Sequence, residues 1–128
     1  MQGLWDQIIL KYIYMENKST IQEFLERLID NSQETKTSWE SLKKNNYRLL
    51  LKSGSVTFEI TESGKSDTDF AYNLSLYDLH ECFASYNVKY SYDPEQIFNL
   101  LDKLRKTIYQ NQKVLENKKI LLLYNDLL

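Results

Sequence analysis

The chain predicts an α+β domain: two N-terminal helices, an antiparallel β-sheet of three to four strands including a hairpin, and a long C-terminal helix packed on the sheet, all in one domain over residues 1–128. Three observations carry this reading. Apolar residues recur at helical spacing at both ends of the chain. Between Tyr47 and Tyr92 they alternate with polar residues. No repeat, low-complexity tract or Pro/Gly-rich linker divides the sequence.

Leu4, Trp5, Ile8, Ile9, Tyr12 and Ile13 fall on one broad stripe, which predicts a helix from Leu4 to Met15. The pattern breaks over Asn17–Thr20, where Ser19 or Thr20 supplies an N-cap hydroxyl and Glu23, three residues past Thr20, completes a capping box. A second helix then turns Phe24, Leu25, Leu28 and Ile29 inward and ends near Asn31. Asn31 to Asn46 is polar apart from Trp39 and Leu42, with room for a short helix from Ser38 to Lys44.

Tyr47–Lys52 and Val56–Thr61 flank Ser53 and Gly54, a hairpin signal in which glycine is expected to supply a positive φ. Val56, Phe58 and Ile60 alternate with Thr57, Glu59 and Thr61, so one face of that strand is dry and the other wet. Beyond the loop from Glu62 to Asp69, the alternation of Phe70, Tyr72, Leu74 and Leu76 predicts a third strand. Leu79, Cys82, Phe83 and Tyr86 have helical spacing and predict a short helix capped by Asp78, and Val88, Tyr90 and Tyr92 a short strand. Asp93 and Pro94 are sharp punctuation: Asp caps, Pro takes the first helical position, and Gln96 closes the box. The helix that starts there carries Ile97, Phe98, Leu101, Leu104, Ile108 and Leu115 on its apolar stripe toward Asn117, and the tail Ile120–Leu128 fits either a strand or a last helical turn.

A chain of 128 residues buries enough surface to need no disulfide or metal staple. Its single cysteine, Cys82, closes no intramolecular disulfide, which suits a reducing compartment. Asp6 and Lys11 interrupt the apolar N-terminus, so it reads as a helix and not as a signal peptide. The longest later apolar run, Ile120–Tyr124, falls far short of the roughly 20 residues of a membrane span. A cytoplasmic protein without membrane contact is expected. The formal net charge of -2 argues against nucleic acid as a partner, since phosphate binding needs a basic excess. That charge is unevenly spread: Glu59 to Glu81 holds six acidic residues and one basic, Asp102 to Lys119 six basic and two acidic.

Candidate chemistry is sparse. His80 and Cys82, with Asp78 and Glu81 beside them, have the residue types of a nucleophile and base or of a metal site. Positions two apart on a helix diverge by about 200°, and no third orienting group accompanies them on a strand. In the predicted helix Cys82 sits on the buried stripe as an inert hydrophobe. Three glycines, Gly3, Gly54 and Gly64, exclude a P-loop or a dinucleotide fingerprint. Asp67 with Asp69, or Glu59 with Glu62, are carboxylate pairs of the kind used in acid/base or magnesium chemistry, but nothing convergent accompanies them and solvated loops and strand faces account for them. Lys103, Arg105, Lys106 and Lys113 do not share one helix face, so they read as a solvated surface and not as a phosphate stripe. No catalytic residue, metal or cofactor is expected.

Ten tyrosines are the compositional excess. Tyrosine gives large contact area at low entropic cost, and also sits well in a sheet core. Clustered with carboxylates in the acidic middle, Glu59, Glu62, Asp67, Asp69, Tyr72, Tyr77, Asp78, Glu81, Tyr86, Tyr90 and Tyr92 form the candidate partner-binding set, matched to another protein with a basic surface. In general character, including a Lys, Asn, Ile and Tyr bias, the chain resembles bacterial toxin-immunity proteins, a resemblance carried by no motif. It implies a small inhibitor that neutralises a toxin or other enzyme by binding it; a phage-encoded inhibitor of host defence shares the same physics. The alternatives are a secretion-type or dimeric chaperone or adaptor, for which the apolar helix stripes allow a homodimer, and an enzyme using acidic residues and His80.

Overall fold

The computed structural model describes residues 18–34, 38–64 and 69–128. The helix expected over Leu4–Met15 lies outside them, as do residues 65–68 of the loop before the third expected strand. The described elements run α1 (Thr20–Gln33), β1 (Glu40–Lys43), β2 (Asn46–Leu51), β3 (Gly54–Glu62), β4 (Phe70–Tyr77), β5 (Cys82–Lys89) and α2 (Phe98–Asp126). The sheet is a five-stranded antiparallel meander in the order β1-β2-β3-β4-β5. It has one or two strands more than the three to four expected.

Ser19 caps α1 through a capping box with Gln22, one residue earlier than the Thr20 and Glu23 pairing. The Ser19 Oγ accepts from the Gln22 N–H at 3.3 Å, and the Gln22 Oε1 accepts from the Ser19 N–H at 3.2 Å. Ile21, Leu25, Leu28, Ile29 and Ser32 form the buried stripe, and Phe24 is half-buried at its margin. The helix expected at Ser38–Lys44 is instead the edge strand β1. Trp39 decides it: the indole lies 6.5 Å from the Phe58 ring and donates Nε1–H to the Ser32 Oγ at 3.0 Å. That contact holds the chain beside β2, where Glu40 pairs with Arg48. Asn45, at φ 62°, makes the turn that follows, and a short edge strand bearing Glu and Lys is protected from further pairing.

The expected β2–β3 hairpin forms, with Leu51 opposite Gly54 and Lys52-Ser53 in the turn. Gly54, however, has no positive φ. A Cβ there would overlap the Tyr77 carbonyl oxygen of β4, so glycine is required by the close approach of the next strand, not by turn conformation. Val56, Phe58 and Ile60 of β3 and Tyr72 and Leu74 of β4 are buried on one face, as their alternation predicts.

Residues 82–89 correct a second expectation. They form β5, not a helix followed by a strand. Helical spacing of Leu79, Cys82, Phe83 and Tyr86 competes with alternation of Ala84, Tyr86 and Val88, and the open edge of β4 resolves the competition by pairing. Leu79, Cys82 and Phe83 are consequently exposed, where a helix would have buried them. Asp78 still acts as a cap, of a turn: its Oδ1 accepts from the N–H groups of His80 at 2.7 Å and Glu81 at 2.8 Å. Those two bonds, Glu81 first, hold its carboxyl below the usual range.

Asp93 caps α2 from farther back than expected. Its two carboxylate oxygens accept from the N–H groups of Ile97 at 2.8 Å and Phe98 at 2.9 Å, while Pro94 lies in a turn and Gln96 adopts φ 56°. Pro94 is therefore not the first helical residue. The helix runs unbroken to Asp126, so the tail is helical throughout and the 29 residues span about 43 Å. Phe98, Leu101, Leu104, Thr107 and Ile108 are buried, but Leu115, placed on the same stripe, is exposed.

Both helices lie on one face of the sheet and run side by side in the same direction. Gln22 Nε2 donates to the Glu95 carbonyl at 2.9 Å at one end, and Asn111 Nδ2 donates to the Ser32 carbonyl at 2.8 Å near the other. Between them and the sheet, the rings of Trp39, Phe58, Tyr72, Phe98 and Tyr90 form an unbroken chain with centroid spacings of 5.5–6.5 Å.

Candidate functional site

The fold distributes the expected acidic and tyrosine set over four places. Tyr72 is in the core. Glu62, Asp69, Tyr90 and Tyr92 lie at the end where β3 finishes and β4 begins, with Lys89 among them. Tyr77, Asp78 and Glu81 lie at the opposite end, the length of β4 away, about 24 Å. Glu59 is on the sheet face turned away from the helices, opposite Asn73, and Asp67 is outside the described residues. These residues do not form one surface.

The face bearing Glu59 is polar. Arg48, Thr57, Ser75 and Ser85 make one cross-strand row, and Asn46, Glu59, Asn73 and Asn87 the next. Ser75 and Ser85 share a hydroxyl contact of 3.3 Å, Ser85 donates to the Asn73 Oδ1 at 3.2 Å, and Arg48 bridges to Glu40 at 3.0 Å. No described helix covers these rows.

A polar network joins β4 to α2. The Tyr72 hydroxyl donates to Asp102 Oδ1 at 2.6 Å and accepts from Arg105 Nε at 2.9 Å, Arg105 Nη2 bonds the same Asp102 oxygen at 2.9 Å, and Lys106 Nζ lies 3.1 Å from the other. The Arg105 guanidinium also stacks 3.8 Å over the Phe70 ring. Burial, then the bond to Asp102, pushes the Tyr72 hydroxyl well above its ordinary pKa. Burial opposes ionisation of Asp102, but the bonds from Tyr72, Arg105 and Lys106 outweigh it and hold the carboxyl low. These bonds tie α2 to β4.

His80 and Cys82, the residues with most chemical potential in the sequence, are exposed at the β4–β5 turn, and the Cys82 thiol points to the Ala84 carbonyl at 3.5 Å. Among the described residues no three His, Cys, Asp or Glu side chains are grouped to hold a metal ion. No described helix is long and apolar enough to cross a membrane.

The feature that sequence reading missed is an apolar groove of about 440 Å³ at the Tyr77 end of the sheet. Ile21 and Phe24 at the start of α1 form one wall, and Leu51, Val56, Leu76, Phe83 and Tyr86 the other. The β-bulge opposite Tyr77 sets Cys82 and Phe83 against a single residue of β4, and Phe83 stands exposed at the rim. Asp78, Glu81 and the exposed Leu79 occupy the turn beside it. Two members of the expected set, Tyr77 and Tyr86, thus line one concave, apolar site, and Asp78 and Glu81 lie in the turn that follows Tyr77. The signal was present in Leu51 and Phe83, two large apolar residues at strand ends, but their convergence depends on the bulge and on where α1 begins.

The fold and groove define a class, an α+β protein with a helix-backed antiparallel meander and an apolar groove at one end of the sheet. No family model matches the chain, and neither a curated protein nor a solved structure matches it.

Proposed function

We propose that the chain is a protein-binding module with no catalysis of its own, an inhibitor of the immunity type that neutralises a toxin or other enzyme by binding it. The observation that carries this reading is the groove between α1, β2–β3 and β4–β5: apolar inside and adjoined by the turn that carries the exposed Asp78 and Glu81, it suits apolar side chains flanked by basic residues on a protein partner. The partner's basic surface is matched by the carboxylates, and the aromatic rim of Tyr77, Phe83 and Tyr86 supplies contact area.

Titration with a synthetic amphipathic Lys/Leu helix and with its Glu/Leu counterpart tests this directly. The Lys/Leu peptide should shift the resonances of Tyr77, Phe83 and Tyr86, and reversing Asp78 and Glu81 to Lys should abolish the shift. Equal binding of both peptides, or of neither, would remove the groove from the account.

A second reading, a secretion-type chaperone or dimeric adaptor, is favoured by a different observation. The distal half of α2 is exposed along its length and rich in Leu, Ile and Tyr, as a helix that pairs with another protein would be.

A further inference from the structure

We propose that two copies of this chain pair edge to edge through β5, antiparallel and centred on Tyr86, so that the two five-stranded sheets continue into one. The surface is a row of backbone groups, and it does not rest on what fills the groove.

Lys89 and Tyr92 exchange both of their backbone hydrogen bonds: the Lys89 N–H donates to the Tyr92 carbonyl at 2.9 Å, and the Tyr92 N–H to the Lys89 carbonyl at 3.1 Å. Because β4 occupies the other side of β5, the N–H and C=O of Lys89 point outward, away from the sheet. In an antiparallel ladder this direction alternates along the strand. The N–H and C=O of Asn87 and Ser85 therefore point outward too, while those of Val88, Tyr86 and Ala84 bond β4 at Tyr72, Leu74 and Leu76. β5 is the last strand of the sheet, and among the described residues nothing bonds the outward groups of Ser85 and Asn87.

The two edges of the sheet are built differently. β1 has four residues, of which Glu40 and Lys43 are charged, and a bulge, the devices that keep an edge from pairing. β5 has eight residues, and from Ala84 to Val88, between its bulge and Lys89, it carries no charge, proline or glycine. Strand addition is thus open at β5 and closed at β1.

The segment itself selects a second copy. Ala84-Ser85-Tyr86-Asn87-Val88 has the same order of chemical types from either end, apolar, polar, Tyr, polar, apolar, which is the self-complementarity that a two-fold interface demands. With Tyr86 opposite its counterpart, Ser85 faces the partner's Asn87 and Asn87 the partner's Ser85, and each of these pairs exchanges two backbone bonds. The side chains agree on both faces. On the open face hydroxyl meets amide, and the polar rows that end at Ser85 and Asn87 continue into the second copy. On the helix face Ala84 meets Val88 and Tyr86 meets Tyr86. A shift of one residue sets polar against apolar, and a shift of two runs the ladder into the Tyr92 turn or onto the bulge at Phe83. No charge stands near the axis, and the two Lys89 residues are held about 20 Å apart, whereas parallel pairing would set them side by side. Because β1 is closed to strands, the assembly stops at two. A ladder of this length covers less than the roughly 800 Å² per partner of a stable interface, so pairing rises with concentration.

Sedimentation equilibrium over a concentration series should show the mass rising from 15.3 kDa toward twice that value. Over the same series hydrogen exchange at the Ser85 and Asn87 amides should slow by about tenfold, with Tyr86 and Val88 unchanged because β4 already holds them. Asn87→Pro removes an outward N–H that bonds nothing within the chain, and Ser85→Lys with Asn87→Lys gathers four ammonium groups at the axis. Each variant should keep the single-chain mass at every concentration and the far-ultraviolet spectrum of the unaltered protein. In a Cys82→Ser background, Tyr86→Cys should cross-link to itself, since the central pair is not hydrogen-bonded and its Cα atoms approach to about 4.5 Å. Ser85→Cys should not cross-link to itself but should join Asn87→Cys. A single-chain mass throughout overturns the proposal, and protection of the Ser85 and Asn87 amides by an added alternating Thr/Val peptide would then assign the edge to a foreign strand. A doubled mass without slower exchange at Ser85 and Asn87, or self-cross-linking of Ser85→Cys, equally overturns it.

Discussion

The hydroxyl of Tyr72, on β4, donates a 2.6 Å hydrogen bond to Asp102, one turn into α2, and this contact joins the centre of the sheet to the helix that crosses it. Asp102 in turn holds Arg105, whose guanidinium covers Phe70. Tyr72→Phe removes both bonds of the hydroxyl and leaves the Asp102–Arg105 ion pair, so it should cost about 1–3 kcal/mol in urea unfolding. Asp102→Ala strands both Tyr72 and Arg105 in a largely enclosed site and should cost more, about 2–4 kcal/mol.

The same network should limit stability at both extremes of pH. Asp102 has a folded pKa below its unfolded value, so its contribution is complete above the ordinary carboxylate range and is lost as pH falls through that range toward the folded value. Tyr72 has a folded pKa raised above the ordinary 10.0, so its contribution is complete below that pH and is lost as pH rises beyond it. Unfolding free energy measured against pH should show both limbs; Asp102→Asn should flatten the acid limb and Tyr72→Phe the alkaline one.

Gly54→Ala is expected to destabilise although the position has ordinary backbone angles. The added methyl meets the Tyr77 carbonyl, and strands β3 and β4 must separate to admit it. A loss of about 1–3 kcal/mol, with faster amide exchange at the Ser55–Tyr77 pair, is the expected outcome. A neutral substitution would show that this end of the sheet yields freely.

Ser32 joins three elements: its Oγ donates to the Leu28 carbonyl at 2.7 Å and accepts from Trp39, and its carbonyl accepts from Asn111. Ser32→Ala strands the Trp39 N–H and should cost about 1–2 kcal/mol. Combined with Trp39→Phe, the two losses should be markedly less than additive. Full additivity would show that the Trp39 N–H finds water instead.

Asp93→Ala should remove two backbone caps at once and cost about 1–2 kcal/mol, with fraying confined to the first turn of α2. Helical chemical shifts at Phe98 and Asn99 report it. Loss of helix beyond Leu101 would mean that Asp93 does more than cap.

Alternation of period two was enough to place β3 and β4 and their buried residues, and helical periodicity with capping residues was enough to place α1 and the first turns of α2, because these signals are local and side-chain direction follows from backbone geometry alone. β1 and β5 were not legible. Residues 38–44 become a strand because Trp39 is held by Ser32 and Phe58, and residues 82–89 because β4 offers an unpaired edge; in both, long-range pairing overrides local spacing. The acidic and tyrosine residues were visible as a composition, but strand direction separates them, placing Tyr77 and Tyr86 at the groove, with Asp78 and Glu81 in the turn that follows Tyr77, and sending Tyr90 and Tyr92 to the far end. The length of α2 was likewise beyond local reading. The stripe of Val114 to Leu128 lies on a different side of the helix from that of Leu101 to Ile108, and only the position of the sheet shows that the first stripe is covered by the chain and the second faces outward.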